Sequence, residues 1–176
     1  DALPIYVTEN KIGSLSATFI AQAIKNDIKN ELNLVGSAGV SYNKFLAKMA
    51  SDQDKPDGLF IIKENDAQHF IDNLSIHRFF GVGKVTADKM IELGIPTGKQ
   101  LKNHSEEFLI NHFGKAGTFF FNIARGIDNR AVQISRERKS IAVESTFNED
   151  IREKADFELK CENIAKSLWK RYEKHK

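Results

Sequence analysis

The sequence predicts a mixed chain in three stretches: part of an α/β domain, then a small all-α region, then the opening of a second α/β module. Three observations carry this. Strand-like apolar runs alternate with helical periodicity as far as Ile62. Between Lys63 and Gly126 only short helical signals occur, most of them stopped by glycine. After Arg138 an alternating segment precedes one long amphipathic stretch.

Each element follows from its residues. Ile5-Tyr6-Val7-Thr8 reads as a strand already in progress in a chain that opens at Asp1 without methionine. A strand needs a neighbour, so a preceding sheet region is expected to be missing. Leu15, Phe19, Ile20, Ala23, Ile24 and Ile28 recur at helical spacing behind Ser14 or Ser16 as N-cap. Leu34 to Val40 reads as a short strand softened by Gly36 and Gly39. Asn43 is placed to cap a helix whose Phe45, Leu46, Met49 and Ala50 share one face. Lys55-Pro56-Asp57-Gly58 is a turn by composition, and Leu59 to Ile62 a strand.

Helices are then expected over Asp66 to Leu74, Ser75 to Phe79 and Val85 to Leu93, the last stopped by Gly94. Two more run from Glu106 to Phe113, stopped by Gly114, and from Ala116 to Arg125, with Gly126 as a left-handed C-terminal residue. Phe119-Phe120-Phe121 is most simply core. Asp128 to Glu137 is a linker by composition and Arg138 to Glu144 a strand. Lys154 to Tyr172 is a helix with Phe157, Cys161, Ile164, Leu168 and Trp169 on its apolar side.

Composition bounds the function only loosely. The chain has 176 residues, 41% of them hydrophobic, which is enough for a packed core. A net charge of +2 and a pI near 8.6 leave open whether the partner is anionic, because binding depends on where the basic residues cluster. The single cysteine, Cys161, excludes an internal disulfide framework and fits a reducing compartment. With no apolar run of membrane-spanning length, a soluble, cytoplasmic protein is expected. The histidines lack zinc-ligand spacing, and no nucleophilic motif is recognisable.

The segment Phe80-Gly81-Val82-Gly83-Lys84-Val85-Thr86-Ala87 carries the clearest chemistry. Two glycines around one apolar residue make a tight hairpin, and Ala87 lets the following helix pack closely. Backbone N–H groups are then left facing outward at a helix N-terminus, where hydrogen bonds and the helix dipole attract phosphate. Such a site reads no base edges. The plainer alternative is a glycine turn between packed helices. Gly-apolar-Gly, the alanine and the apolar pair after it resemble the helix–hairpin–helix motif of DNA-repair proteins and polymerases, with Phe80 where proline is common. Lys44 and Lys48 share a helix face and Lys55 sits on the turn beyond. By themselves these residues leave the matter undecided between phosphate contacts and solvated surface lysines, the more common explanation of such spacing.

Taken together, several segments closely resemble Y-family translesion DNA polymerases, specifically the bacterial DNA polymerase IV group. They are Ser37-Ala38-Gly39-Val40, Asn43-Lys44-Phe45-Leu46-Ala47-Lys48, Lys55-Pro56-Asp57-Gly58, the hairpin, Ala124-Arg125-Gly126-Ile127-Asp128 and Arg138-Lys139-Ser140. The resemblance implies a partial palm over 1–62, a thumb over 63–131, a linker over 132–137 and the beginning of a little-finger domain over 138–176. It implies that Lys55 contacts the incoming nucleoside triphosphate. It also implies that Gly81, Val82, Gly83 and Lys84 grip the DNA backbone, and that Arg138, Lys139 and Ser140 lie along a DNA strand. Primer–template DNA is the implied partner. A sliding clamp would be reached through a C-terminal region that this chain does not carry.

The family's Mg2+ chemistry needs three carboxylates holding two ions. The resemblance aligns Asp1 with one of them and Ala2 with its expected glutamate neighbour, leaving Asp1 as the sole candidate metal ligand. The chain by itself is therefore expected to bind DNA without polymerising, so a primer-extension assay with magnesium and four nucleotides should give no product. Two rivals remain at this point: a non-catalytic DNA-binding or partner-binding module, and a helix–hairpin–helix subunit of a nuclease or helicase. The run from Ser37 to Asp52 speaks against the second.

Overall fold

The computed structural model describes residues 3–7, 10, 13–133 and 140–174. It falls into two compact units, Asp1–Val132 and Gln133–Lys176.

In the first unit, helix α1 (Ala17–Leu32) starts where Ser16 caps it, the Ser16 hydroxyl accepting the Phe19 N–H at 3.2 Å. Strands β1 (Ala38–Val40) and β2 (Leu59–Ile61) pair in parallel, with Ala38 opposite Leu59 and Val40 opposite Ile61. Between them α2 (Lys44–Ser51) buries Phe45, Leu46, Met49 and Ala50, the face read from spacing. The helix backbone can lie this close to β1 because Gly39 has no side chain. A Cβ there would stand 2.1 Å from the Ala47 carbonyl oxygen.

Five short helices follow: α3 (Glu64–Asn73), α4 (Lys84–Glu92), α5 (Gly98–Lys102), α6 (Glu106–Phe113) and α7 (Ala116–Ile123), with a 3-10 turn at Ile76–Arg78. Gly94, Gly114 and Gly126 follow α4, α6 and α7 with φ of 77°, 59° and 71°, as the sequence indicates. Helix α5 was not anticipated; five residues are too few to show a period. None of these helices can bury a full face alone, and they share one apolar cluster. It runs from Phe45 and Leu46 on α2 through Ile62, Ile71, Phe79, Met90 and Leu109 to Ala124. The cluster is therefore continuous across Lys63.

The strands differ most from expectation. Residues 3–7 form no strand, with Leu3, Ile5 and Tyr6 all exposed, and Thr8 lies outside the described residues. The strand expected from Leu34 begins only at Ala38. The strand expected over Arg138 to Glu144 is absent from its described part, 140–144. The cause is the same each time: strand propensity becomes a strand only where a neighbour satisfies its backbone, and among the described residues only β1 and β2 have one.

In the second unit, α8 (Lys154–Glu173) is the one regular element described. Its expected apolar side is present as a stripe, but no residue of α8 is buried, and Phe157 and Trp169 are exposed. Arg171 donates to the Ala142 carbonyl at 3.0 Å, tying the preceding segment to the helix. The architecture is thus mixed and mainly helical with few strands. Among the described residues no helix is long and apolar enough to cross a membrane.

Candidate nucleic-acid interface

The glycine hairpin joins the 3-10 turn to α4, and its two glycines have different reasons to be glycine. Gly81 has φ 90°, which a side chain resists, and a Cβ there would lie 2.9 Å from Cε1 of Phe119 on α7. Gly83 has φ −74° and ψ 165°, ordinary extended backbone. Nothing lies within 4 Å of where its Cβ would be. Internal packing therefore accounts for Gly81 and leaves Gly83 unexplained. Between them Val82 turns inward: its side chain is buried and its N–H donates to the Phe79 carbonyl at 3.0 Å. Val82 thus anchors the hairpin and has no side chain to offer a ligand.

Gly83 occupies the N-cap of α4 with no side-chain cap. The first helical bond runs from the Ala87 N–H to the Gly83 carbonyl at 2.9 Å. The N–H groups of Lys84, Val85 and Thr86 consequently have no acceptor within their own helix. Ala87 is fully buried, allowing the close packing read from sequence, and Lys84 is exposed beside the free donors.

Cations gather beside this hairpin. Lys48 of α2 stands over the Phe80 ring, 6.0 Å from its centroid, and Arg130 stands 5.0 Å from the centroid of Phe119, the ring against Gly81. Lys48 also pairs with Asp52, and Lys55 reaches the other oxygen of that carboxylate at 2.7 Å. Partial burial pushes the Asp52 carboxyl up, but hydrogen bonds and charge from Lys48 and Lys55 outweigh it and hold the group below its usual range. Lys55 is more than half exposed on its turn. Lys44 donates to the Ala131 carbonyl at 3.2 Å.

Asp128, read from composition as the first residue of a linker, is instead a structural anchor. Its side chain is 2% exposed. It accepts the Phe45 N–H at 3.0 Å near the start of α2 and both Nε and Nη2 of Arg130, at 2.7 and 2.8 Å. Beside it Asn43 caps α2 by accepting the Leu46 N–H at 2.9 Å and donates to the Gly126 carbonyl at 2.8 Å. Burial raises the Asp128 carboxyl, while the Arg130 and Phe45 hydrogen bonds lower it further, so the net direction is down. Only its spacing from Arg130 could have signalled this role; the contact with α2 crosses more than eighty residues.

Asp128→Ala is expected to cost about 2 kcal/mol, the size of one helix-cap bond plus a charge-assisted pair, read from the urea midpoint. Asp52, Asp57 and Asp128 all titrate below their ordinary range when folded. Their stabilisation is present above the unfolded carboxylate value of about 4 and drains away as pH falls from there through the folded values. Urea midpoints should therefore drop on acidification below about pH 4, less steeply in Asp128→Asn.

Three residues expected at the site, Asp1, Arg138 and Lys139, lie outside the described residues. Ser140 is exposed in a segment without regular structure. Among the described residues no three or more histidine, cysteine, aspartate or glutamate side chains come together as a metal site. The described residues thus offer no carboxylate set that fits a two-ion magnesium centre.

The impB/mucB/samB family model matches residues 1–52. DNA polymerase IV of Akkermansia muciniphila is 49% identical over 162 residues, covering 92% of this chain and 45% of that protein. DNA polymerase IV of Bacteroides fragilis is 51% identical over 165 residues, covering 94% of this chain and 45% of that protein. The chain thus spans less than half the length of the curated relatives it matches. A solved Y-family DNA polymerase chimera superposes with a TM-score of 0.68 at 30% identity, over 75% of this chain and 39% of that one. With sequence matches along nearly its whole length and a solved structure of the same fold, the chain belongs to the Y-family of translesion DNA polymerases, in its DNA polymerase IV group.

Proposed function

We propose that this chain holds primer–template DNA by its sugar–phosphate backbone and presents Lys55 to the triphosphate of an incoming nucleotide, as part of the nucleotidyl-transfer machinery of its family. The single observation carrying the DNA grip is Gly83. Its missing side chain serves no contact inside the protein, and it leaves the N–H groups of Lys84, Val85 and Thr86 open to a ligand. A phosphate oxygen fits that opening because it accepts several hydrogen bonds and carries the charge that the α4 dipole favours.

Exposed Lys84 adds positive charge at the opening itself, and backbone N–H donors carry no means of reading a base edge. In the second unit, Arg138, Lys139 and Ser140 would supply backbone contacts of their own along a DNA strand. At Lys55 a compact ammonium on an exposed turn suits neutralisation of phosphate oxygens.

Titration of a fluorescent primer–template duplex at several salt concentrations tests this reading. The logarithm of the association constant should fall with the logarithm of salt with a slope of about −3, as when three to four phosphates are neutralised. Two duplexes of unrelated sequence should bind equally. A flat salt response, or a strong preference for one sequence, would overturn it.

A further inference from the structure

Lys25 is a charged residue that is buried, at 8% exposed, and the DNA grip makes no use of it. It sits on α1 and points at the edge of the two-stranded sheet. Its Nζ donates to the Gly36 carbonyl at 2.5 Å and to Oδ1 of Asp57 at 2.7 Å. Gly36 precedes β1 by two residues, and Asp57 precedes β2 by two. One ammonium thus binds the approaches to both parallel strands. Lys29, one turn along α1, stands 3.7 Å from the other oxygen of Asp57.

Asp57 belongs to the Lys55–Gly58 turn and has φ 59°, a left-handed value uncommon outside glycine that aspartate and asparagine adopt more readily than other residues. The turn is tight on its other side too, since a Cβ on Gly58 would lie 1.9 Å from the Asp54 carbonyl oxygen. The turn thus places its left-handed residue at an aspartate rather than a glycine. What holds it from outside the turn is a part-buried charge-assisted hydrogen bond from a helix more than thirty residues away.

We propose that Lys25 is a positioning residue: its ammonium staples the N-terminal ends of β1 and β2 together and so holds the 55–58 turn in the shape that presents Lys55. The staple stands on its own geometry, while its service to Lys55 rests on the triphosphate reading above. A lysine suits the task because its donors can reach a carbonyl and a carboxylate at once while its stem fills apolar space. Exposed Lys29 cannot replace it, having neither the burial nor the carbonyl.

Amide hydrogen exchange on the 176-residue chain, resolved by NMR, tests the staple. The reporters are the Ala38 N–H, bonded to the Gly58 carbonyl at 2.9 Å, and the Gly58 N–H, on the Ser37 hydroxyl at 3.3 Å. The reference is the Ile95 N–H, bonded to the Met90 carbonyl at 2.8 Å in the helical region. In Lys25→Met, which keeps the stem and removes the charge, the reporters should exchange about tenfold faster, the worth of one charge-assisted hydrogen bond, with Ile95 unchanged. Lys25→Arg should recover most of the protection. Asp57→Asn, in which asparagine tolerates the same φ, should reproduce the acceleration, and the double variant should add little.

Unchanged reporters, or equal acceleration of Ile95, would overturn the staple; if Lys25→Met does not fold, Asp57→Asn decides at the same amides. Inorganic tripolyphosphate binding then asks whether the staple serves Lys55. About threefold weaker binding in Lys25→Met and Asp57→Asn is expected, the share of one loosened ammonium contact. Wild-type affinity in both, alongside a weakened Lys55→Ala, would sever the link. Wild-type affinity in Lys55→Ala would instead overturn the triphosphate reading and leave the exchange data to judge the staple.

Discussion

Gly83→Asp is expected to weaken duplex DNA binding by roughly thirty- to a hundredfold while leaving the fold as stable as before or slightly more so. The two effects have opposite signs for one reason. Gly83 caps α4 without a side chain, and its φ and ψ suit any residue. An aspartate there can accept the N–H of Val85 or Thr86, which favours the helix by a few tenths of a kcal/mol over glycine. The same bond removes donors that a phosphate would use and sets a negative charge where the phosphate must sit. A companion variant separates this from packing. Gly81→Val places a Cβ 2.9 Å from Phe119 at φ 90°, and should lose about 1–3 kcal/mol of stability together with binding. Anisotropy titrations and urea midpoints on both variants read the two quantities. Wild-type affinity in Gly83→Asp would show that the open N-terminus of α4 is not the grip.

The second large effect is on folding. Gly117→Ala should destabilise the protein by about 2–4 kcal/mol, although alanine is the better helix former by about 1 kcal/mol. Gly117 lies where α7 crosses α6. A Cβ on it would stand 2.4 Å from the Ile110 nitrogen and 2.4 Å from the Leu109 carbonyl carbon. Both are backbone atoms of a packed helix and cannot rotate aside as a side chain would, so the helices must separate. Separation would also displace Phe119, which lies against Gly81 and under Arg130. Lost stability should therefore be accompanied by weaker DNA binding, unlike in Gly83→Asp. A Gly117→Ala protein with the wild-type urea midpoint would mean that the crossing is loose enough to absorb a methyl group.

Comparing the hairpin with its surroundings shows how far the sequence carries. Gly81-Val82-Gly83 with Ala87 was legible because everything it needs is local: a tight turn, a small residue one helical turn on, and free donors at a helix start. The buried face of α2 was legible for the same reason, since Phe45, Leu46, Met49 and Ala50 meet at the helical repeat. Composition alone reads Asp128 as linker because Phe45, the distant partner that makes it an anchor, joins it only once α2 has docked. Lys25 went unnoticed because a lysine within a helical pattern reads as solvated until the Gly36 carbonyl and Asp57 are placed around it.

The strands mark the boundary most clearly. Ile5 to Thr8 and Arg138 to Glu144 have the composition of strands, yet the described parts of both form none, while the shorter Ala38–Val40 and Leu59–Ile61 do. The sequence by itself determined the longer helices with their glycine stops, the apolar face of α2, and the tight Gly81–Gly83 hairpin with its uncapped helix start. The tertiary structure alone decided which extended segments pair and which cations stand beside the hairpin. It also decided that a buried lysine ties the Lys55 turn to the sheet. Helix and turn signals are satisfied within a few residues of chain, whereas strand pairing, ion pairs and buried caps draw on partners that only folding brings within a few ångströms.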